Sequence, residues 1–176
     1  QEPGVSEGDW ALYDATFSGN APMPPEMNVT WVKITVQEIS ATNITSESRV
    51  HYSNGTEETE IYLVDVDTGQ GNGTGFFIAK DLYEGDLIYT DPPTGGGPFG
   101  ISFVGATINE TISREYLGGD VEVNHLNITT VNISPGGNVT LSISYYWYRA
   151  TGMLAELSIY ELMQPVEGPI MWIKEE

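Results

Sequence analysis

The sequence predicts an all-β fold, a single antiparallel β-sandwich or partly open barrel of about ten strands. Apolar and polar residues alternate along most of the chain, as they do in strands with one buried face, and the helical spacing of apolar residues is nearly absent. The 20 glycines and 10 prolines divide the alternating stretches at short intervals. A chain of 176 residues, 40% of them apolar, is long enough to bury one sizeable core.

A proline-rich stretch separates the start of the chain from the rest. Its three prolines, within residues 19–26, disfavour both helix and strand and predict an extended tether. Before it, residues 1–18 contain one alternating strand at 9–18, and after it residues 27–176 form the predicted sandwich body. The further predicted strands lie at about 28–39, 44–52, 61–66, 76–78, 87–89, 101–112, 120–127, 128–134, 138–148, 153–162 and 170–173.

Turn signals separate these strands. Asn54-Gly55 predicts a hairpin turn at residues 53–56, because this dipeptide tolerates the positive φ angles that tight hairpins require. The glycine-rich residues 67–75 and the proline- and glycine-rich residues 91–98 are predicted loops. Neither loop marks a clear domain boundary.

Asparagine is concentrated in N-glycosylation triplets. Serine and threonine make up 29 of the 176 residues, so chance would supply about one or two Asn-x-Ser/Thr triplets among ten asparagines. The chain has eight, none with a central proline, and such triplets accept N-linked sugar only on externally exposed chains. The sequence therefore predicts an extracellular or cell-surface glycoprotein with acceptors at Asn28, Asn43, Asn54, Asn72, Asn109, Asn127, Asn132 and Asn138.

Charge and cysteine content narrow the class of protein. Six Lys and Arg against 25 Asp and Glu give a formal net charge of -19, which repels nucleic acid and anionic lipid, so we expect neither as a partner. Secreted eukaryotic domains of this size usually carry disulfides, and a chain with many triplets but no cysteine points instead to an archaeal cell surface. The chain begins at Gln1, which we interpret as a mature product after removal of a signal peptide. No apolar run approaches the roughly 18 residues of a membrane span.

Three motifs resemble a loose class of archaeal secreted β proteins. They are Gly8-Asp-Trp-x-x-Tyr13, Phe76-Phe-Ile-x-x-x-Leu-x-x-Gly-Asp86, and a Tyr-Trp strand that turns through Thr-Gly into a Leu-x-Glu strand, residues 145–156. The resemblance implies a structural role and no chemistry. Some heavily glycosylated archaeal surface proteins of this size, such as thread-type filaments and bundling pili, polymerise by donor-strand complementation, so the resemblance implies a homopolymer. Members of the class often end in a membrane anchor, and we expect this chain to be held by other subunits.

The start of the chain fits a donor strand. Donor-strand assembly needs a short apolar strand, a flexible tether and a body with an unpaired sheet edge. Tyr13, Ala15 and Phe17 share one face of the first strand, and Trp10 and Leu12 share the other; these five side chains are the candidate assembly residues. The same segment also fits the first strand of a self-contained barrel. A second candidate donor is residues 169–174.

Sites for metal or catalysis are weakly indicated. Asp65 and Asp67, followed by Gly69, present alternating oxygens of the kind that calcium binds, but the helices and the later glutamate of an EF-hand are missing. The two histidines, His51 and His125, occupy strand positions, no serine-nucleophile or zinc-protease motif occurs, and nothing singles out a carboxylate pair among the 25 acids. We expect no catalytic residue and no cofactor apart from glycans, with calcium as the one metal indicated.

Two functions remain open from the sequence, beside a secreted hydrolase for which the sequence identifies no catalytic residues. The first is a structural subunit of an extracellular, N-glycosylated archaeal filament assembled by donor-strand complementation. The alternative is a monomeric cell-surface module that binds a polysaccharide, an S-layer partner or calcium, with the aromatic residues near 145–148 as a surface for sugar rings.

Overall fold

Eight strands form two antiparallel sheets in the computed structural model, which describes residues 1–19, 24–94, 101–134 and 137–164. Each sheet is a four-stranded meander, since its strands are neighbours in the same order as in the sequence. Sheet 1 contains β1 (Trp10–Asp14), β2 (Val29–Ser40), β3 (Asn43–Tyr52) and β4 (Glu57–Asp65). Sheet 2 contains β5 (Glu110–Tyr116), β6 (Gly119–Ser134), β7 (Gly137–Tyr148) and β8 (Leu154–Gln164). The predicted all-β class is confirmed, and the arrangement is consistent with a sandwich.

The β3–β4 connection is the hairpin turn predicted from Asn54-Gly55. Gly55 has a φ of 85°, and the backbone N–H of Tyr52 donates to the carbonyl of Thr56 at 3.0 Å. The Asn54 Oδ1 accepts the backbone N–H of Thr56 at 2.9 Å, which closes the turn from the side chain. The prediction holds because glycine supplies the positive φ at no steric cost.

Sheet 2 differs from its prediction in the length of β6. Two strands were predicted, at 120–127 and 128–134, whereas β6 runs unbroken over 16 residues and pairs with β7 from Val123 to Ser134. Neither glycine nor proline occurs at the predicted break, and the alternation continues through it. The division was wrong because a change of side-chain type alone does not interrupt a ladder.

The connection between the sheets, residues 66–109, is almost free of regular strand in its described part. The strands predicted at 76–78 and 87–89 form only isolated bridges, such as Phe77 with Met153 and Leu87 with Thr107, and β5 begins nine residues later than the predicted start at 101. Side chains supply the missing backbone partners, since the Tyr89 hydroxyl donates to the Phe77 carbonyl at 2.6 Å. The described strands therefore number eight, fewer than predicted, and residues 170–173 lie outside the described residues.

One apolar core joins both sheets to this connection. Phe103 lies at its centre, with edge contacts to Tyr89 and Tyr145 at ring-centroid distances of 5.6 and 5.3 Å. Trp147 stacks on Tyr145 at 5.2 Å, and all four rings are fully buried. Burial raises the pKa of Tyr145 to about 12. Other members of the core are Ile34, Val36, Ile44, Val64, Phe77, Ile78, Ile88, Ile108, Leu126 and Ile143.

The described residues include no helix with the length and apolar character that crossing a membrane requires.

Candidate assembly and glycosylation sites

Strand β1, the candidate donor, pairs with β2 of its own chain. The register is antiparallel and runs from Trp10 opposite Thr35 to Asp14 opposite Trp31. Further hydrogen bonds extend the pairing past both strand ends, from the N–H of Gly8 to the Val36 carbonyl and from the N–H of Ala15 to the Thr30 carbonyl, both at 2.9 Å. In this single chain β1 occupies the edge of β2, so that part of β2 offers no vacancy for a donor strand.

The two faces of β1 have different surroundings. Ala11 and Tyr13 point towards the core, and the Tyr13 hydroxyl donates to the Leu154 carbonyl, at the start of β8, at 2.6 Å. Burial raises the pKa of this phenol well above its ordinary range. Trp10 and Leu12 face outwards and are 59% and 55% exposed. The alternation predicted for this strand is present over Trp10–Asp14, with Tyr13 as its anchor, but the strand ends four residues before its predicted end at 18.

The remaining candidate assembly residues contribute little to this contact. Phe17 is 56% exposed, and Ala15 is half-buried and bonds to β2 through its backbone. The sequence did not single out Lys33, whose ammonium lies 4.9 Å from the centre of the Trp10 ring. A cation over an indole face is attractive, so Lys33 holds Trp10 on the outer face of sheet 1. In the second predicted strand the alternation places Lys33 on the outward face, and this could have indicated its contact with Trp10.

The connection from β1 to β2 is much longer than the pairing requires. Fourteen residues, 15–28, join two strands that are antiparallel neighbours, whereas a hairpin needs about two to five. Residues 20–23 of the predicted tether lie outside the described residues. Fully extended, a connection of this length reaches about 45–50 Å.

The asparagines of the glycosylation triplets are exposed or half-buried wherever their side chains are described. Asn54, Asn72, Asn109 and Asn127 are exposed, and Asn28, Asn43 and Asn138 are half-buried; the side chain of Asn132 lies outside the described set. The contrast is Asn124, which is fully buried and belongs to no triplet. Its amide donates to the Leu82 carbonyl at 2.8 Å. Surface placement of the triplets agrees with the predicted acceptor role, which stays a prediction.

The predicted calcium ligand Asp65 is occupied by protein donors. Its carboxylate accepts the N–H groups of Asp67 and Thr68 at 2.8 and 3.1 Å and the Thr42 hydroxyl at 3.0 Å. Burial raises the pKa of Asp65, but these hydrogen bonds outweigh it, and the net pKa lies below the ordinary value. Asp67 contributes its backbone to the same turn. Within the described ranges no group of three or more His, Asp or Glu side chains is placed to hold a metal.

Asp65 should make stability depend on pH. A carboxyl whose pKa is lowered by folding stabilises the protein above its unfolded pKa and loses that contribution as pH falls through the folded value. We expect Asp65→Asn, which cannot titrate, to be less stable than wild type at pH 7 and to lose less stability between about pH 5 and pH 2. Urea unfolding at several pH values measures this. Asp14→Asn, at the exposed end of β1, is the control, and parallel pH profiles for Asp65→Asn and wild type would contradict the role.

The histidines and the aromatic strand are held in structural contacts. His51 stacks on Trp31 at 5.1 Å, and its Nδ1 lies 2.7 Å from the Thr30 hydroxyl. His125 stacks on Tyr146 at 4.3 Å, while the Arg114 guanidinium lies 4.1 Å from the centre of the same ring. One ring face cannot accommodate both groups, so both faces of Tyr146 are covered. Since Tyr145 and Trp147 are buried, the predicted sugar-stacking surface at 145–148 is not displayed.

Comparison with family models, curated proteins and solved structures gives no match for this chain.

Proposed function

We propose that this chain is a structural subunit of an extracellular, N-glycosylated filament of archaeal cell-surface type, in which β1 of one subunit pairs with β2 of the next. The observation that carries the proposal is the excess length of residues 15–28. A fourteen-residue, proline-containing connection between adjacent strands lets β1 reach either its own β2 or that of a neighbour. The structure of the single chain then corresponds to the self-paired state of the subunit.

Strand exchange of this kind conserves the contacts of the single chain. The same register, the Tyr13 hydrogen bond to Leu154 and the cation–π contact of Lys33 with Trp10 form between copies instead of within one. Exchange of an identical element is a low-cost route to assembly, because few contacts are lost. Each subunit then donates one strand and accepts another, and when donor and acceptor are different neighbours the contact is head-to-tail and repeats along a filament.

Charge and glycans favour end-to-end over side-to-side association. Two subunits with a net charge of -19 each repel one another, so non-specific association is unfavourable. Sugars on surface asparagines of both sheets would further block lateral contact between sheet faces and edges. The backbone hydrogen bonds and the buried tyrosine of β1 hold two subunits together at the exchanged strand, because they then form between chains instead of within one.

A disulfide placed across β1 and β2 should distinguish exchange from self-pairing. Leu12 lies directly opposite Lys33, and the chain has no cysteine of its own. Directly opposite strand residues have a separation that a disulfide can bridge. In Leu12→Cys/Lys33→Cys, oxidation of assembled material should give a ladder of covalent multimers on a non-reducing gel, and electron micrographs should show regular fibres.

The matched control moves one cysteine to the other side of β2. Lys33 also lies directly opposite Arg49 on β3, so Lys33→Cys/Arg49→Cys should give an intramolecular disulfide and a monomer band in every state. Fibres with only monomer bands in the Leu12 variant would rule out exchange of β1. Discrete monomers at high concentration, with residues 1–18 intact, would rule out the filament.

A second candidate function is a monomeric surface module for polysaccharide or an S-layer partner. The observation in its favour is the outer face of sheet 1, where Trp10 is 59% exposed beside Lys33 and is available to stack on a sugar ring. Polysaccharide binding that is lost in Trp10→Ala, by a protein that stays monomeric, would favour this module over the filament. Calcium binding at Asp65 and Asp67 belongs to the same candidate and stays a prediction.

A further inference from the structure

The glycine-rich loop closes the open edge of β4. Residues 70–73 run beside the second half of the strand, where the N–H of Gly73 donates to the Leu63 carbonyl at 2.9 Å and the N–H of Asp65 donates to the Gln70 carbonyl at 2.9 Å. An unpaired strand edge is a template for another chain, and covering it is a common way to prevent that. The loop therefore acts as a substitute for a fifth strand of sheet 1.

The side chain of Asn72 supplies two further hydrogen bonds of this substitute strand. Its Oδ1 accepts the backbone N–H of Leu63 at 2.8 Å, and its Nδ2 donates to the Ile61 carbonyl at 3.1 Å. Both partners lie on the same edge of β4, two residues apart. The carboxamide consequently faces the strand edge with both its oxygen and its nitrogen, and pairs with the strand as a backbone amide of a neighbouring strand would.

This orientation conflicts with N-glycosylation of Asn72. In the planar, trans amide of a glycosylated asparagine, the sugar carbon replaces the hydrogen on the same side as Oδ1, and the remaining hydrogen points away from that side. The replaced hydrogen is the one directed at the Ile61 carbonyl. A sugar at Asn72 would break the contact with Ile61 and place its first ring against the backbone of β4.

The other residues around Asn72 are also tightly packed. Thr74 is fully buried, and its hydroxyl donates to the Gly69 carbonyl at 2.7 Å. Gly71 has a φ of 125°, and a Cβ there would lie 2.0 Å from the Leu63 carbonyl oxygen, so the loop approaches β4 too closely for any other residue. Movement of the loop away from the strand, as a sugar would require, uncovers both the edge and the Thr74 hydroxyl.

We infer that Asn72 is an edge-capping residue that carries no sugar in the folded protein, and that its triplet differs in this from exposed triplets such as those of Asn54 and Asn109. The contrast is clearest with Asn43, the half-buried first residue of β3, whose side chain makes none of the hydrogen bonds found among the described residues. The inference rests on the proposed glycoprotein for the acceptor role of the other triplets. The capping role of Asn72 stands independently of it.

Site occupancy measures the first half of the inference. Glycopeptide mass spectrometry of protein purified from its native surface should find sugar on peptides containing exposed triplets such as Asn54 and Asn109, and unmodified asparagine in the peptide containing Asn72. Sugar on Asn72 at the level found at Asn43 would overturn the inference. Absence of sugar at every triplet would remove the proposed glycoprotein, and the capping role would then be decided by stability alone.

The thermal stability of the unglycosylated full chain tests the second part of the inference, that Asn72 caps the edge of β4. Asn72→Gln displaces the carboxamide by one methylene and cannot keep both contacts, so its melting temperature should fall by about 5 °C. Asn43→Gln makes the same chemical change and should fall by less than about 1 °C. Should Asn72→Gln fail to fold, Asn72→Asp keeps the shape and the Leu63 contact, loses the donor to Ile61, and should also melt below wild type. Equal melting temperatures for the position-72 variants and Asn43→Gln would overturn the capping role.

Discussion

Replacing Trp147 with alanine should destabilise the protein by about 3–5 kcal/mol, a large part of the stability of an ordinary domain. The indole is fully buried, stacks on Tyr145 at 5.2 Å, and donates from Nε1 to the Gly75 carbonyl at 2.9 Å. Its removal leaves a cavity between sheet 2 and the inter-sheet connection and leaves that carbonyl without its indole donor. Both effects reduce the free energy of unfolding, because surrounding groups relax only partly into the space.

Urea unfolding of Trp147→Ala, with Trp10→Ala as the matched control, measures this effect. Trp10 is the same residue type but is 59% exposed, so its loss should cost no more than about 1 kcal/mol. A midpoint for Trp147→Ala close to that of Trp10→Ala would mean that the inter-sheet connection does not pack on β7 as described.

Gly152→Ala should also be strongly destabilising, with an expected cost of about 2–5 kcal/mol. Gly152 lies between β7 and β8 with a φ of 69°, and a Cβ there would lie 2.0 Å from the carbonyl oxygen of Ile78. The backbone carbonyl of Gly152 also accepts the Ile78 N–H at 2.9 Å. Alanine therefore has to adopt a strained conformation and push the inter-sheet connection away from the turn.

Gly105→Ala separates these two causes. Gly105 has the same φ of 69°, but a Cβ there meets nothing within 4 Å. Its substitution should cost only the conformational strain, about 1–2 kcal/mol. Equal losses of stability in chemical denaturation for the two variants would show that close approach to Ile78 contributes nothing, contrary to the packing described for this turn.

Sheet 1 follows from local sequence because its strands obey the rules of half-buried antiparallel pairs. Val32, Ile34 and Val36 alternate with outward polar residues, and Asn54-Gly55 fixes the register of the next hairpin. Successive strands are neighbours in space, so no distant contact is needed to place them. Sequence periodicity and turn chemistry therefore predict β2, β3 and most of β4 within a few residues.

The connection between the sheets could not be predicted in this way. Phe76, Phe77 and Ile78 have the composition of a strand, but they are placed by non-local hydrogen bonds with the Leu154 N–H, the Tyr89 hydroxyl and the Gly152 carbonyl. Apolar composition shows that such a segment is buried and does not show whether a strand or side chains will satisfy its backbone. In this segment hydrogen bonds to residues distant in the sequence satisfy the backbone, and a local sequence pattern contains no information about them.

The candidate sites show the same difference between features that local sequence predicts and features that depend on non-local contacts. The two faces of β1 were predictable from alternation, whereas the strand against which it pairs depends on the long connection after it. All eight triplets are alike in sequence, and the approach of the loop to Leu63 and Ile61 distinguishes Asn72 from an exposed acceptor such as Asn54. A short motif specifies a chemical possibility, and the fold determines whether the side chain is available for it.

The buried connection has a consequence for the kinetics of folding. The two meanders consist of local strand pairs, but their inner faces are buried against the described part of the inter-sheet connection, residues 66–94 and 101–109. The rate-limiting step should therefore be a late docking event with high contact order, slower than hairpin formation by orders of magnitude. Until this docking step is complete, the inner faces of both sheets are exposed to solvent, and the chain is susceptible to enzymes that act on unfolded polypeptides.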